Sequence, residues 1–253
     1  VAAIQSDVQS ARARDLVPAL LKTLELTGYD EKSAVAALRV WNCEFALDQA
    51  GATVWAAFWG EWCLAVARAR FPDRLVTVAS ARVGAVARRL LSGDRLPWFG
   101  DWTTGEHVRR AFTDGVRSLI DVAGPDPADW HWGKLHQVRF QHPLSTTPDL
   151  AEIFDVGPFP TSGGNSVVRA AGHNLKAPFS VNSGSTYRLV ADLSGPNLLR
   201  TVQTLGQSGQ PGSSHYRDQS ALWLEDAYHP LFMNEDALRG EITSEVVLDP
   251  GTK

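Results

Sequence analysis

Residues 204–219 read TLGQSGQPGSSHYRDQ, with Gly206, Gly209 and Gly212 at intervals of three, Pro211, three serines and the pair His215-Tyr216. A dinucleotide phosphate loop needs G-x-G-x-x-G, which this spacing does not supply, and a Walker loop needs a lysine that is not here. A nucleophile elbow needs G-x-S-x-G, and Gly206-Gln207-Ser208 is followed by Gly209 one position too early. Ser208, Ser213 and Ser214 lie near His215 and Asp218, but a Ser-His-Asp triad is assembled in space from separate elements, so adjacency alone does not make one. On local chemistry the stretch reads as a structural loop with left-handed glycines, and in a second reading its polar groups reach a site.

The segments upstream of this loop have strand character. After Gly124-Pro125-Asp126-Pro127 come short β-branched and aromatic runs between turn residues: Gln137 to Gln141, Ser166 to Ala171, Tyr187 to Leu193 and Leu199 to Leu205. Period-two alternation in Tyr187–Leu193 puts Tyr187, Leu189, Ala191 and Leu193 on one face and Arg188, Val190 and Asp192 on the other. A charged face of this kind points to solvent or lines a cleft. Downstream, Trp223 to Gly240 reads as a return to helix, with Met233-Asn234-Glu235-Asp236 as a start signal.

The first half has a different period. Leu16, Val17, Leu20, Leu21 and Leu24 recur at helical spacing from Arg12 to Leu26, with a stop at Thr27-Gly28. Asp30 is a candidate cap for a second helix carrying Ala34, Leu38 and Trp41. Val54, Phe58, Trp62 and Val66 mark a third, ended at Phe71-Pro72. Val83, Val86, Leu90 and Leu91 mark a fourth, stopping near Ser92-Gly93. A capping box at Thr103–Glu106 precedes a fifth, with Val108, Phe112, Val116, Leu119 and Ile120. Residues 1–123 are therefore expected to form a helical layer, and 124–253 a β-rich core portion with a C-terminal helix. The change near Gly124 marks a change of layer within one fold, because short strands need a covering layer. The strands are few for a complete sheet, so strands from other chain segments are expected to finish it.

At 253 residues and a net charge of -4 the chain can bury a large core and has no basic face for nucleic acid. Its apolar stretches are broken well before the length of a membrane span. The opening VAAIQSDVQSARARDL has no basic leader before an apolar core, so no signal peptide is expected in it, and a start at Val1 suggests a piece released from a longer polypeptide. Cys43 and Cys63 read either as one disulfide or as two small buried hydrophobes. In the Trp-rich segment from Asp129 to Leu144, His131, His136 and His142 fall five and six apart, which does not fit a zinc helix. There the indoles are expected to cover core, and the histidines to bond backbone.

Several segments, in order, resemble the C-terminal half of the β-subunit of the penicillin acylase family, which includes acyl-homoserine lactone, aculeacin-type and cephalosporin acylases. Ala3 to Ser10, leading into Arg12-Ala13 and Leu16-Val17-Pro18, resembles the family's "IQ-x-D-x-x-S...RA...LLP" start. Trp132-Gly-Lys-Leu-His136 with Phe140-Gln-His-Pro-Leu144 is similar to "W-G-x-x-H...F-x-HPL". Gly163-Gly164-Asn165, Ser185 to Arg188 and Val190 to Leu193 match "GG-[DN]", "S-x-R" and "V-x-DL". The stretch Gly206 to Gln219 with Leu222-Trp223 matches the closing "GQSG-x-PG-S-x-HY-x-DQ...LW". A departure occurs at Ser166–Gly172, where the family more often has a Thr-Val-Asn strand.

The resemblance implies an α+β chain that is part of an αββα N-terminal nucleophile hydrolase, cut from a precursor into α and β chains and located in the periplasm or secreted. In such enzymes the first residue of the β chain, a serine, attacks an amide carbonyl with its own α-amine as base. Backbone and Asn donors hold the oxyanion. Val1 has no side-chain nucleophile. The resemblance therefore implies that the Ser, the oxyanion Asn and any structural calcium belong to companion α and N-terminal β segments, and that this chain alone is inactive and holds no cofactor. The expected substrate is a small acylated compound: a β-lactam, an N-acyl-homoserine lactone or a lipopeptide. The other reading is a non-catalytic assembly or binding module of the same fold. In this chain the family pattern points to Asp192 as a supporting carboxylate with Arg188 as its partner, and to Gln207, Ser208, His215 and Tyr216 as residues shaping the cleft.

Overall fold

A computed structural model describes residues 1–26, 32–100, 103–195 and 199–251. They form two compact units, residues 4–184 and residues 1–3 with 185–253. The expected stop at Thr27-Gly28 and cap at Asp30 lie outside the described residues. No described helix is long and apolar enough to cross a membrane.

The larger unit is organised around one helix. Following α1 (Ala2–Gln5), α2 (Ala11–Leu26) and α3 (Lys32–Val40) comes α4 (Ala50–Arg68), which is buried on nearly every face. Its sequence AGATVWAAFWGEWCLAVAR is apolar all round, which only a helix enclosed by other elements can be. The enclosure consists of α3, α5 (Asp73–Ser80), α6 (Gly84–Leu91), α7 (Thr104–Ala123), α8 (Trp132–Leu135) and a strand of the sheet. Val54, Phe58, Trp62 and Val66 are fully buried, as the spacing predicts. Glycine lets α7 approach: a Cβ at Gly115 would lie 2.9 Å from the Ala57 backbone, so any side chain there forces the two helices apart.

The capping box is formed. Thr103 accepts from the Glu106 N–H, and the Glu106 carboxylate accepts from the Thr103 N–H at 3.1 Å. The single fourth helix expected from Val83 to Leu91 is instead the second of two, because α5 precedes it after Pro72. Among the described residues six indole N–H groups each donate to a backbone carbonyl: Trp41 to Glu44, Trp62 to Ala87, Trp98 to Val66, Trp130 to Gly124, Trp132 to Gly163, and, in the smaller unit, Trp223 to Ser185. A buried indole left without an acceptor would cost free energy, so these carbonyls fix where each ring sits.

The larger unit also carries a four-stranded sheet in the order β2-β1-β4-β3, from β1 (Gln137–Phe140), β2 (Val156–Pro160), β3 (Ala171–Asn174) and β4 (Ala177–Gly184). β1 runs antiparallel to β2 and parallel to β4. A short helix α9 (Pro148–Phe154) joins β1 to β2, and Gly124 lies inside this unit. The prolines of β2 fit an edge position, where an absent N–H costs no ladder bond. The expected strand over Ser166–Ala171 is turn and bend up to Ala170. The reason is Arg169, whose fully buried guanidinium donates to Thr161 Oγ1 at 2.9 Å while its N–H is taken by Asp7 O.

The smaller unit has a three-stranded antiparallel sheet, order β5-β6-β7, from β5 (Tyr187–Ala191), β6 (Leu199–Gln203) and β7 (His229–Leu231). The expected helix over Trp223–Gly240 is not continuous. α10 (Ser220–Leu224) ends before β7 and α11 (Glu235–Arg239) begins after it, with the Asn234 side chain accepting from the Ala237 N–H. Pro230 lies between the two helices and cannot donate within one. The chain is thus α+β, with helices dominating the first half and strands the second.

Candidate functional site

In the smaller unit the structure inverts the expected strand faces. Arg188 and Val190 of β5 are buried, while Tyr187, Leu189 and Ala191 are exposed. The Arg188 guanidinium lies 4.8 Å from the Trp223 ring centroid and donates to Ser185 Oγ, to Trp223 O at 3.0 Å and to Asp226 Oδ1 at 2.7 Å. Cation–π contact and charge-assisted bonds together repay its desolvation. The expected pairing with Asp192 is therefore corrected, since the carboxylate partner of Arg188 is Asp226. Asp192 is exposed, and the Ser194 hydroxyl, with the Ser194 N–H, holds its carboxyl below the usual range within its own turn.

The GQSG stretch folds on itself. Gly206 and Ser208 donate their N–H groups to Tyr216 O and His215 O at 3.1 and 3.0 Å. A Cβ at Gly206 would collide with the His215 carbonyl, so the close approach requires glycine. Ser208 Oγ accepts from Gln210 N–H and Ser213 Oγ from His215 N–H. His215 Nδ1 pairs with Asp218 at 2.8 Å, with the His215 side chain 71% exposed. Both hydroxyls are engaged by backbone, and among the described residues no serine hydroxyl bonds the His215 ring. Tyr216 is buried at the base of the loop. Of the sequence-predicted residues, His215 and Tyr216 therefore share this loop, Arg188 belongs to the Trp223 cluster, and Asp192 belongs to neither.

In the larger unit the Trp-rich segment forms a buried polar group. The His136 ring is stacked on Trp132 at 4.1 Å, with its Nδ1 2.8 Å from Thr161 O and its Nε2 3.2 Å from Ala171 O. Burial outweighs these carbonyls and pulls the ring down to about 4, so it is neutral at pH 7. His142 is used differently, its Nδ1 accepting from Leu144 N–H, and His131 is exposed. The Phe140–Leu144 motif has a structural cause. Asp155 accepts from Ser145 Oγ, His142 N–H and Arg139 Nε, closing the turn after β1. These bonds hold its carboxyl below the usual range.

Sequence reasoning did not anticipate the cleft of about 360 Å³ among α2, α4, α5, α6 and β3, whose lining includes Arg12, Trp59, Cys63, Ser80, Asn165 and His173. Arg12 stacks over Trp59 at 5.0 Å from the ring centroid. Asn165 pins the strand beside it, its amide bonding both the N–H and the carbonyl of His173 at 2.9 Å. Burial, reinforced by His136, lowers the His173 ring to about 3, and His173 Nδ1 has no hydrogen-bond partner among the described residues. Burial raises the Cys63 thiol to about 12, against Arg12, and raises Cys43 as well. Both cysteines are free, which settles the two readings for buried thiols. Neither is poised as a nucleophile. One signal was readable: Arg12 stands four residues before Leu16 on the stripe continued by Leu20 and Leu24, a charge where the pattern calls for an apolar residue. A second cleft, of about 300 Å³ between α4 and α7, is self-neutralised, with Arg68 beside Glu61 and Arg110 beside Asp114. No group of three or more metal-ligating side chains converges among the described residues.

The family model for penicillin amidase matches residues 1–240. The acyl-homoserine lactone acylase QuiP of Pseudomonas putida is 26% identical over 162 residues, 61% of this chain and 20% of that protein. The penicillin acylase 2 proenzyme of a Pseudomonas species is 30% identical over 162 residues, 64% of this chain and 20% of the proenzyme. The chain thus spans about a fifth of the length of these relatives. The structure of the thermostable penicillin G acylase of Alcaligenes faecalis superposes with a TM-score of 0.59 at 17% identity, over 98% of this chain and 48% of the acylase chain, a likeness of fold. With the family's motifs in order and the match running from residue 1 to residue 240, the chain belongs to the penicillin amidase family.

Proposed function

We propose that this chain is one segment of an acylase that hydrolyses the acyl amide bond of a small acylated compound, with the nucleophile carried by another segment of the same precursor. The observation that carries this reading is the continuous family match over residues 1–240, in a chain that covers only about a fifth of its relatives. Its substrate would be a β-lactam, an N-acyl-homoserine lactone or a related amide, in keeping with the names of those relatives. The enzyme would be periplasmic or secreted, assembled from this chain and companion α and N-terminal β segments, with any structural calcium on the companions.

The chemistry follows from what an amide demands. A serine at the start of a companion chain would attack the carbonyl, its free α-amine taking the proton. Preorganised donors would stabilise the tetrahedral oxyanion, and water would release the acid. The side chains described above supply no such pair: the Ser208 and Ser213 hydroxyls are bonded to backbone, and both thiols are raised by burial. This chain would instead provide the α4-centred helical layer and, at the sheet edges formed among the described residues, β2 and β3 in one sheet and β5 and β7 in the other, against which strands of the companions would pair.

The test is a hydrolysis assay with acyl-homoserine lactones and penicillins on the complete assembly and on this chain alone. Turnover is expected only from the assembly, undiminished by Ser208→Ala and abolished when the serine that begins the companion chain is replaced. Turnover by the isolated chain, lost in Ser208→Ala, would overturn the proposal.

A further inference from the structure

We propose that the cleft beside α2 is a binding site for a small organic carboxylate. Three features of the larger unit carry the inference, and it does not depend on the acylase reading. The first is Arg12. It is the one guanidinium lining a space of about 360 Å³, held by its stack on Trp59, and among the described residues no carboxylate lies within ion-pair distance of it. By contrast, Arg88 on the neighbouring α6 is paired with Asp15 at 3.0 Å. A half-buried guanidinium without a counter-charge is costly unless an anion completes it, and its planar fork matches a carboxylate.

The second feature is the polar lining opposite. Thr77, Ser80, Asn165 and Asn174 line the same space without adding an acid, the Asn165 amide holding His173 and the Ser80 hydroxyl bonded to Thr77 O. The third is His173, fixed through its backbone by Asn165, with a buried Nδ1 that no described residue bonds. An unsatisfied buried ring nitrogen beside a cleft is a place for a ligand group or an ordered water. Ala81, Leu175 and Trp59 supply apolar wall, so the ligand class is a compact monocarboxylate with a small apolar body.

Benzoate is the probe, with benzyl alcohol as its uncharged counterpart. Titration calorimetry on the complete protein carrying this chain should show saturable benzoate binding and none of benzyl alcohol. Arg12→Gln should weaken benzoate by about ten- to a hundredfold, the loss of one charge-assisted contact. Gly84→Leu leaves Arg12 intact but fills the cleft, since a Cβ at Gly84 meets nothing within 4 Å. It should abolish the same binding, with the thermal midpoint of both variants checked against the parent. Absence of saturable benzoate binding, or its persistence in either folded variant, would overturn the proposal.

Discussion

The environment of α4 and the environment of Arg188 answer the same question, how to bury a large side chain, in opposite ways. Around α4 the buried groups are mostly hydrocarbon and indole, and the Trp62 and Trp132 N–H groups each find a carbonyl. Around β5 the buried group is a guanidinium, and a tryptophan face, two carbonyl or hydroxyl oxygens and one carboxylate make that tolerable. The first environment follows from periodicity alone. The second requires partners from Ser185, Trp223 and Asp226, up to 38 positions away, and no local pattern announces them.

The largest effect that would sharpen this contrast is at the centre of α4. Trp62→Ala removes a fully buried ring and its bond to Ala87 O and should cost about 3–5 kcal/mol in urea unfolding. A cost near zero would break the picture of α4 as the organising helix.

Next is a pH effect in the same unit. His136 is held down to about 4 and His173 to about 3, below the ordinary histidine value of 6.5. Between these values and 6.5 the unfolded chain binds protons that the folded one refuses, so stability is full above about pH 6.5 and falls as pH falls through that window. Each buried ring contributes a slope of at most about 1.4 kcal/mol per pH unit. Unfolding measured at pH 7 and pH 5 should show the loss, and His136→Gln should reduce it. Equal stability at both values would mean that these rings are not buried neutral.

Smaller still is the ion pair of the second environment. Asp226→Ala strands the buried Arg188. Because the Asp226 side chain is 24% exposed, the expected cost is about 2–3 kcal/mol, below that of a fully enclosed pair. Asp192→Ala should cost less than Asp226→Ala in the same assay, and the reverse order would restore the pairing that strand alternation suggests. Least of all is His215→Ala, an exposed side chain whose loss should stay within about 0.5 kcal/mol. A larger loss would give the loop a role beyond its own backbone bonds.

The helical half was open to reading because each position's fate depends on neighbours three and four residues away. Leu16, Leu20, Leu38, Phe58 and Phe112 are buried as their spacing predicts, and the Thr103–Glu106 box caps its helix. Where long-range partners decide, reading failed. Val167 and Val168 have strand propensity, yet Arg169 anchors that segment as a turn. Pro158 and Pro160 argue against a strand, yet β2 occupies an edge where they fit. The charged face of β5 turned inward because Trp223 and Asp226 met it there. The motif series identified the family. The Arg12–His173 cleft was hidden because its residues come from five elements brought together only by folding.

The most direct test of the central claim is N-terminal sequencing and intact-mass measurement of every polypeptide that co-purifies with this chain from its native source. The account predicts a companion that begins with serine and accounts for the remaining length of the family's precursor. A chain that purifies alone, with no such companion, would contradict it and leave the family relationship as one of fold.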